Sequence, residues 1–297
     1  MLRLARPAQP AGGRKRMSTL SVIRRPALAG HAGLVLGSVL VGLLVVLAVL
    51  GQWLAPHDPD LVELSQRLMP PDASHWLGTD HLGRDLLSRL IVGTRLSLGS
   101  VMLTLALVLA LGLAVGGVAG FVGGRIDLWL MRLCDMFMTF PTLVLAFFFV
   151  TLLGTGLTNV VVAIALSHWA WYARMVRGLV IAQRGREYVL AARLAGASRW
   201  TRLRQHVLPN IAGPLLVLAT MDIGHMMLHV SGLSFLGLGV SPPTAEWGVM
   251  INDAKEFIWT HPQLLLLPGL MIFFSVMAFN LLGDALRDRL DPSREHH

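Results

Sequence analysis

The 297-residue sequence has few charged residues and a single cysteine. Asp, Glu, Lys and Arg make up 14% of the chain, against about a quarter of an average soluble domain. The lone Cys134 excludes a disulfide scaffold, and a hydrophobic content of 54% excludes an intrinsically disordered chain. Aromatic residues are also few, at 7%, so the apolar excess is aliphatic. Together these absences predict an integral membrane protein.

Lysine is almost absent, with only Lys15 and Lys255 present. Neither lies in the Gly-x4-Gly-Lys-Ser/Thr pattern of a phosphate-binding loop, so the chain is not expected to hydrolyse ATP itself. The loops also contain no obvious pair of catalytic carboxylates and no nucleophile motif. The sequence therefore predicts a chain that is not an enzyme and has no cofactor of its own.

Long stretches without charge predict the membrane crossings. A helix needs about 20 apolar residues to cross the hydrocarbon core. The charge-free gaps include 32 residues between Arg25 and Asp58, and 38 residues between Asp135 and Arg174, which is enough for two crossings. The predicted fold is all-α, an integral membrane bundle of six transmembrane helices. The predicted helices cover residues 33–54, 97–122, 136–153, 159–176, 211–232 and 263–283.

The distribution of basic residues predicts the orientation of the bundle. With both termini in the cytoplasm, 20 of the 25 Lys and Arg residues lie in cytoplasmic segments, which fits the positive-inside rule. The net charge of +8 is then a topology signal, and its spread over four segments does not indicate nucleic-acid binding. The predicted organisation has a basic cytoplasmic tail (1–30), a transmembrane domain (31–283) and a cytoplasmic C-terminal tail (284–297). The domain includes outer loops at 55–96 and 233–262 and a cytoplasmic coupling segment at 177–210.

The first outer loop is rich in turn-forming residues. Gly78-Thr-Asp80 is typical of a turn that leads into a helix, with Asp80 as the cap. We expect the loop to clamp the outer face, with direct contact to substrate as the alternative. Histidines outside the predicted spans are scattered and are assigned no metal role: His31, His57, His75, His81, His261, His296 and His297.

Two further patterns predict contacts between or within helices. Glycines recur every fourth residue in the second predicted span, at Gly112, Gly116, Gly120 and Gly124. Small residues at this spacing predict close helix packing within the bundle. Arg132 and Asp135 lie three residues apart, which predicts a local ion pair.

Polar residues at membrane depth predict the substrate path. Asp222, His225 and His229 are spaced i, i+3 and i+7, so they share one helix face. An ionisable residue at this depth usually faces the bundle interior or a water-filled path. Imidazole is a suitable ligand for divalent transition metals such as Ni²⁺ and thioether for softer ions, so Met226 and Met227 are candidates behind the histidines. We predict that these residues and His168 line the path, with His225 and His229 as transient metal ligands. The alternative is hydrogen-bonded packing between helices.

The segment 177–210 is too polar for lipid and too apolar for a flexible linker. Its helix-forming residues are interrupted at Gly196 and end at Pro209. An amphipathic element of this kind suits docking into a partner's groove. The alternative is a helix that lies on the anionic inner leaflet.

The same segment resembles the coupling loop of ATP-binding-cassette importer permeases. The matching positions are Ala191, Ala192, Gly196, Leu208 and Pro209. Two positions depart from the family pattern, because Leu190 replaces a Glu and His206 replaces an Ile. Other stretches resemble the dipeptide, oligopeptide and nickel branch: Gly78 to Leu98, Phe235 to Gly239, Pro242 to Gly248 and Asn280 to Pro292. Ser167 to Arg177 and Asp222 to His229 are most similar to the second membrane subunit of nickel importers.

This resemblance implies a type I importer permease that moves nickel, free or chelated, across the bacterial inner membrane. A dipeptide or oligopeptide permease of the same family is the alternative. The resemblance also implies a heterodimer with a second permease, two ATPase subunits that hold ATP and Mg²⁺, and an extracytoplasmic substrate-binding protein. The coupling loop would transmit closure of the ATPase pair to the bundle by alternating access, with Gly196 permitting its bend.

Overall fold

The computed structural model describes residues 27–290, with side chains from residue 33 onward. Within this range the regular secondary structure is helical, and loops connect the helices. An isolated β-bridge pairs Thr79 with Asp85. The predicted tail 1–30 and the end of the predicted tail 284–297 lie largely outside the described residues. The helices of the described range are α1 (Ala27–Leu54), α2 (Leu86–Val122), α3 (Gly124–Met138), α4 (Thr142–Leu153), α5 (Leu157–Arg184), α6 (Glu187–Leu194), α7 (Arg199–Arg202), α8 (Leu208–Phe235), α9 (Trp247–Ala254) and α10 (Gln263–Leu290).

Several of these helices are long and apolar enough to cross a membrane. Four stretches of the described chain meet that standard, and the bent pair of α3 and α4 adds a fifth if the pair forms one span. The four are Gly33–Leu54, Leu86–Val122, Arg199–Phe235 and Gln263–Leu290. They contain the predicted crossings 33–54, 97–122, 211–232 and 263–283, so the sequence located these helices correctly.

The predicted crossing at 136–153 is wrong as one straight helix. α3 ends at Met138, α4 begins at Thr142, and the two helices meet at 90°. Pro141 accounts for the break, because a proline disfavours the helical conformation of the residue before it. Pro141 itself has a ψ of 134°, which is outside the helical range. The 12 residues of α4 span only about 18 Å, which is less than the ~30 Å of a bilayer core.

The predicted crossing at 159–176 lies inside α5, the least lipid-like of the long helices. α5 is 28 residues long, but its histidine, tyrosine and arginines lower its apolar content, and it is not among the four apolar stretches. It packs along α2 and also contacts α3, α4 and α8. Ser167 and Tyr172 are buried in these contacts. A polar helix is tolerated there because neighbouring helices cover it.

The glycine repeat sets the distance between α2 and α5. A β-carbon at Gly116 would overlap the backbone of Ala173. One at Gly112 or Gly120 would approach α5 atoms to 2.6 or 2.9 Å. Gly124 has open space around it and begins α3 with a φ of 64°. The predicted close packing is therefore confirmed for three of the four glycines.

Ion pairs join α3 to α5 in place of the predicted local pair. Asp135 pairs with Arg174 of α5, and Arg132 lies over the Trp129 ring at 5.4 Å. The prediction of an Arg132–Asp135 pair is therefore wrong. Asp135 does not pair with Arg132 because its ion-pair partner is the guanidinium group of Arg174 on α5.

Two loop regions meet at one end of the bundle, which we call the loop end. Arg84 and Arg89 are each 1% exposed, and their guanidinium groups reach the carbonyl oxygen of Pro243 at 3.5 and 3.0 Å. The Trp247 indole donates to the Leu90 carbonyl at 3.1 Å. These contacts tie the loop 55–85 and the start of α2 to residues 236–262.

The start of α2 is capped by a different residue from the one predicted. The Asp85 carboxylate accepts hydrogen bonds from the Ser88 backbone N–H at 2.8 Å and from its hydroxyl at 2.6 Å. Asp80 instead accepts from the Leu82 and Arg84 backbone N–H groups and closes the preceding turn. The prediction of Asp80 as the helix cap is wrong, because the turn that Asp80 closes ends at Arg84 and α2 begins only after Asp85.

Candidate functional site

Polar side chains of α5 and α8 meet where the two helices pack together. His168 and Tyr172 lie one turn apart on α5, and Asp222, His225 and His229 share a face of α8. We call these five residues the intramembrane cluster. The structure brings together the predicted residues of both helices and adds Tyr172.

Asp222 is the centre of the cluster. The Tyr172 hydroxyl donates to Asp222 Oδ2 at 3.1 Å, and His168 Nε2 lies 3.3 Å from the same oxygen. His225 Nδ1 lies 3.4 Å from Asp222 Oδ1. One buried carboxylate thus faces a hydroxyl and two imidazoles. Each oxygen keeps lone pairs that a cation could share.

One ring nitrogen of the cluster, His229 Nδ1, is buried and makes no hydrogen bond. The His229 ring lies 6.3 Å from the His168 ring between centroids, and His168 Nε2 lies 3.3 Å from Asp222. Leaving a buried polar atom without a partner costs about 1–3 kcal/mol. His229 Nδ1 is therefore the cluster atom with a free lone pair or hydrogen to offer a further group.

One side of the cluster is open. The side chain of His225 is 74% exposed, whereas that of Asp222 is 11% exposed. A cavity of about 460 Å³ lies nearer the start of α8, against the end of α10, and is not lined by the cluster. It is lined by Pro214, Val217, Leu218, Met221, Arg287 and Leu290. Within the cluster, His225 is therefore the exposed residue and Asp222 the buried one.

Met226, the predicted thioether candidate, has no exposed surface and packs in the hydrophobic core with Met227. It lies on the side of α8 that faces the neighbouring helices. Met226 therefore lies away from the exposed side of the helix, where His225 lies.

The segment between α5 and α8 projects from the other end of the bundle, which we call the coupling end. α6 carries Ala191 and Ala192, and Gly196 follows with a φ of 86°. This left-handed conformation turns the chain into α7, whose cap is Ser198. Leu208 and Pro209 begin α8. The five predicted coupling positions thus run from α6, through the turn at Gly196, to the first residues of α8.

The coupling segment presents apolar side chains with no covering helix. Leu194 is 90% exposed and Trp200 is 66% exposed. Beside them lies a cavity of about 540 Å³. Its basic lining consists of Arg184, Arg193, Arg199 and Arg202. An exposed apolar patch rimmed by charge is typical of a protein interface.

Pro209 does not end the coupling element as predicted. A π-turn at Leu203–Val207 runs directly into α8, and Pro209 occupies the first turn of that helix. A proline is tolerated there because the first backbone N–H groups of a helix have no partner within it.

Two histidines predicted to be scattered lie together at the loop end. The rings of His57 and His75 are 4.7 Å apart, and both contact Asp85. The prediction of scattered loop histidines is therefore wrong for this pair. His81 instead stacks on Phe257. The pair is 18 residues apart in an irregular loop, where no helical period indicates proximity.

The chain matches a known family over most of its length. Residues 112–296 match the family described as "Binding-protein-dependent transport system inner membrane component". Residues 27–71 match the N-terminal transmembrane domain of oligopeptide transport permease C.

Curated relatives are permease proteins. The chain is 63% identical to the nickel transport system permease protein NikC of Escherichia coli K12, over 86% of this chain and 93% of the relative. It is 40% identical to the glutathione transport system permease protein GsiD of Pectobacterium atrosepticum, over 93% and 96%. It is 38% identical to the probable D,D-dipeptide transport system permease protein DdpC of Escherichia coli K12, over 89% of each chain.

A solved structure shares the fold. A crystal structure of an amino acid ABC transporter with histidines matches with a TM-score of 0.54 and 16% identity. The match covers 68% of this chain and 94% of the other.

Proposed function

The chain belongs to the family of binding-protein-dependent transport system inner membrane components, and we propose that it is one membrane subunit of an ATP-driven importer for nickel. It is a transport component and a multi-pass inner membrane protein, as its permease relatives and its apolar helices indicate. The intramembrane cluster is the observation that carries the choice of nickel. Three imidazoles and a carboxylate are suitable ligands for Ni²⁺.

In this proposal six crossings place both termini in the cytoplasm. The bent pair of α3 and α4 and the polar helix α5 then cross together with the four apolar stretches. The loop end faces outward and the coupling end faces the cytoplasm, where the positive-inside rule puts the arginines of the coupling segment.

The path for the ion runs along the open side of α8. His225 receives the ion first, and Asp222, His229 and His168 share it at the next turn. Met226 lies behind them. Binding of this kind is transient, because ligands from only two helices leave coordination positions open and a transporter must release what it binds. The nickel is the substrate, free or chelated.

Energy comes from partner subunits. The sequence contains no phosphate-binding loop, so ATP and Mg²⁺ bind to two ATPase subunits beneath the bundle. The exposed Leu194 and Trp200 support docking of the coupling segment into a groove of such a subunit. A second, homologous permease completes the path, and an extracytoplasmic binding protein delivers the ion.

The test is nickel uptake in a strain that lacks its own nickel importer. With His225→Ala and His229→Ala together, we expect uptake to fall at least about tenfold while the complex still assembles, because two of the three imidazole ligands are lost. Leu228→Ala is the matched control, since Leu228 lies between the two histidines and is 59% exposed. Full uptake by an assembled double variant would reject the path. Uptake of dipeptide or glutathione in place of nickel would favour the alternative of a peptide permease, a class to which other relatives belong.

A further inference from the structure

A second group of metal-ligating side chains lies at the loop end, far along the chain from the intramembrane cluster. It consists of His57, His75 and Asp85, whose ligand atoms all lie within 4.8 Å of one another. We call it the first-loop cluster. His57 and His75 belong to the loop after α1, and Asp85 caps α2.

Both ring nitrogens of His75 have a polar neighbour. His75 Nε2 lies 2.7 Å from the side-chain amide of Gln66, and His75 Nδ1 lies 2.9 Å from Asp85 Oδ1. When Nε2 carries the ring hydrogen and donates it to Gln66, the lone pair of Nδ1 faces Asp85. A metal ion beside Asp85 would bind this lone pair.

His57 supplies a ligand atom that has no other use. Its Nδ1 is buried, makes no hydrogen bond and lies 3.8 Å from Asp85 Oδ2. A buried imidazole nitrogen without a partner is unfavourable, and a metal ion at the carboxylate would satisfy it.

The spacing of the three ligands suits a transition metal. Bonds of about 2.0–2.2 Å from a metal to nitrogen and oxygen place neighbouring ligand atoms roughly 3–4 Å apart. His75 Nδ1 lies 2.9 Å from Asp85 Oδ1 and His57 Nδ1 lies 3.8 Å from Asp85 Oδ2, and one ligand atom from each residue lies within 4.8 Å of the others, so small side-chain shifts would close the site around an ion. Two imidazoles and one carboxylate favour a borderline divalent ion such as Ni²⁺, Cu²⁺ or Zn²⁺ over Mg²⁺ or Ca²⁺.

A second layer of residues holds the ligands in place. The Ser88 hydroxyl and backbone N–H both donate to Asp85 Oδ2, and Gln66 orients the His75 ring. Metal-ligating histidines usually use their other ring nitrogen in this way.

The surroundings are acidic and open to solvent. The cluster borders a cavity of about 300 Å³, with neither lysine nor arginine in its described lining. The acidic lining residues are Asp58, Glu63, Asp72 and Asp85. An acidic cavity concentrates cations, and its opening gives them a path to the ligands.

We propose that the first-loop cluster binds a divalent transition-metal ion at the loop end of the bundle. The ion bridges His57, from the loop after α1, and Asp85, at the start of α2. It would also tie the loop to the end of the bundle that we propose faces outward. This site is separate from the intramembrane cluster and does not depend on which substrate the importer carries.

The test measures binding of NiCl₂ and ZnCl₂ alone to the purified complex in nanodiscs by equilibrium titration. The complex carries His225→Ala and His229→Ala, so that most binding by the intramembrane cluster is removed. We expect one ion per chain, and His57→Ala should weaken its binding at least about tenfold, because it removes one of three ligands. His261→Ala, which changes a histidine outside the cluster at the start of α10, should leave binding unchanged.

The His57→Ala variant should fold, because the ring nitrogen that it removes makes no hydrogen bond. Bound Cu²⁺ gives an independent readout, since its electron paramagnetic spectrum reports nitrogen ligands. Two imidazole nitrogens are expected, and one in His57→Ala. The proposal would be overturned if the complex with His57 intact bound no ion. It would also be overturned if His57→Ala left the metal affinity unchanged. Neither result would bear on nickel uptake through the intramembrane cluster.

Discussion

At the scale of the residue, buried charges at the loop end each have a specific partner. Glu246 has no exposed surface and caps α9 by accepting hydrogen bonds from the Gly248 and Val249 backbone N–H groups, both at 3.0 Å. It also accepts from the Ser97 hydroxyl of α2 at 3.1 Å. One carboxylate therefore starts a short helix and joins it to a long one.

Replacing this carboxylate tests its contribution to stability. We expect Glu246→Ala to cost about 1–3 kcal/mol, because it removes a helix cap and leaves buried donors without an acceptor. Burial raises the pKa of Glu246, so the carboxyl group binds a proton more tightly in the folded protein than in the unfolded chain. Proton binding at Glu246 therefore stabilises the unmutated protein more as the pH falls. The free energy of unfolding lost in Glu246→Ala should grow as the pH falls for the same reason. Thermal unfolding in detergent measures it, with the exposed Glu256→Ala as a control that should change little. Equal melting temperatures for the two variants would contradict this role.

At the scale of the element, backbone geometry determines what each helix can do. α2 and α5 approach closely because glycines on α2 leave room for the α5 backbone. This contact holds the polar helix α5 against its neighbours and fixes where His168 and Tyr172 meet α8. The coupling segment turns at Gly196, the only residue of that turn with positive φ in the described chain.

Two adjacent glycines of α2 provide a matched test of helix packing. Gly116→Ala should destabilise the protein by about 1–3 kcal/mol, because its β-carbon would overlap the Ala173 backbone. Gly117→Ala should not, because nothing lies within 4 Å of a β-carbon there. Thermal unfolding of the two variants measures the difference. A Gly116→Ala variant as stable as Gly117→Ala would show that the helices are farther apart.

Gly196 tests the link between the coupling segment and transport. A β-branched residue at a φ of 86° is strained by about 1–2 kcal/mol, which amounts to roughly a tenfold shift between conformations. We expect Gly196→Val to leave ATP hydrolysis by the complex active but to reduce ion transport per ATP. Gly185→Val is the control, since Gly185 has an ordinary φ of −84°. The same ratio of transport to hydrolysis in both variants would argue against coupling through this turn.

At the scale of the whole molecule, the bundle has two different ends. The loop end is closed by buried ion pairs and contains the first-loop cluster, whereas the coupling end exposes apolar side chains and arginines. A subunit that receives an ion on one side and contacts an ATPase on the other needs this asymmetry.

Labelling of single cysteines tests the proposed orientation. Trp76 at the loop end and Trp200 at the coupling end are 68% and 66% exposed. In a Cys134→Ala background, a membrane-impermeant maleimide should label Trp76→Cys in cells whose outer membrane alone is permeable. It should label Trp200→Cys only after the inner membrane is opened. The reverse pattern would invert the topology.

The sequence by itself determined the membrane class, the position of most crossings and the face shared by Asp222, His225 and His229. These features are local, because charge-free length and helical period are properties of neighbouring residues. The close approach through Gly112, Gly116 and Gly120 is local in the same sense, since the small residues repeat on one helix.

Only the tertiary structure decided which distant residues meet. Tyr172 and His168 reach Asp222 from a position about 50 residues earlier, because α5 packs between α2 and α8. His57 and His75 come together in a loop that has no repeating geometry. Such contacts depend on how whole elements pack, and no period along the chain encodes them. The first-loop cluster therefore became visible only in the fold, whereas the face of α8 in the intramembrane cluster was predicted from the sequence.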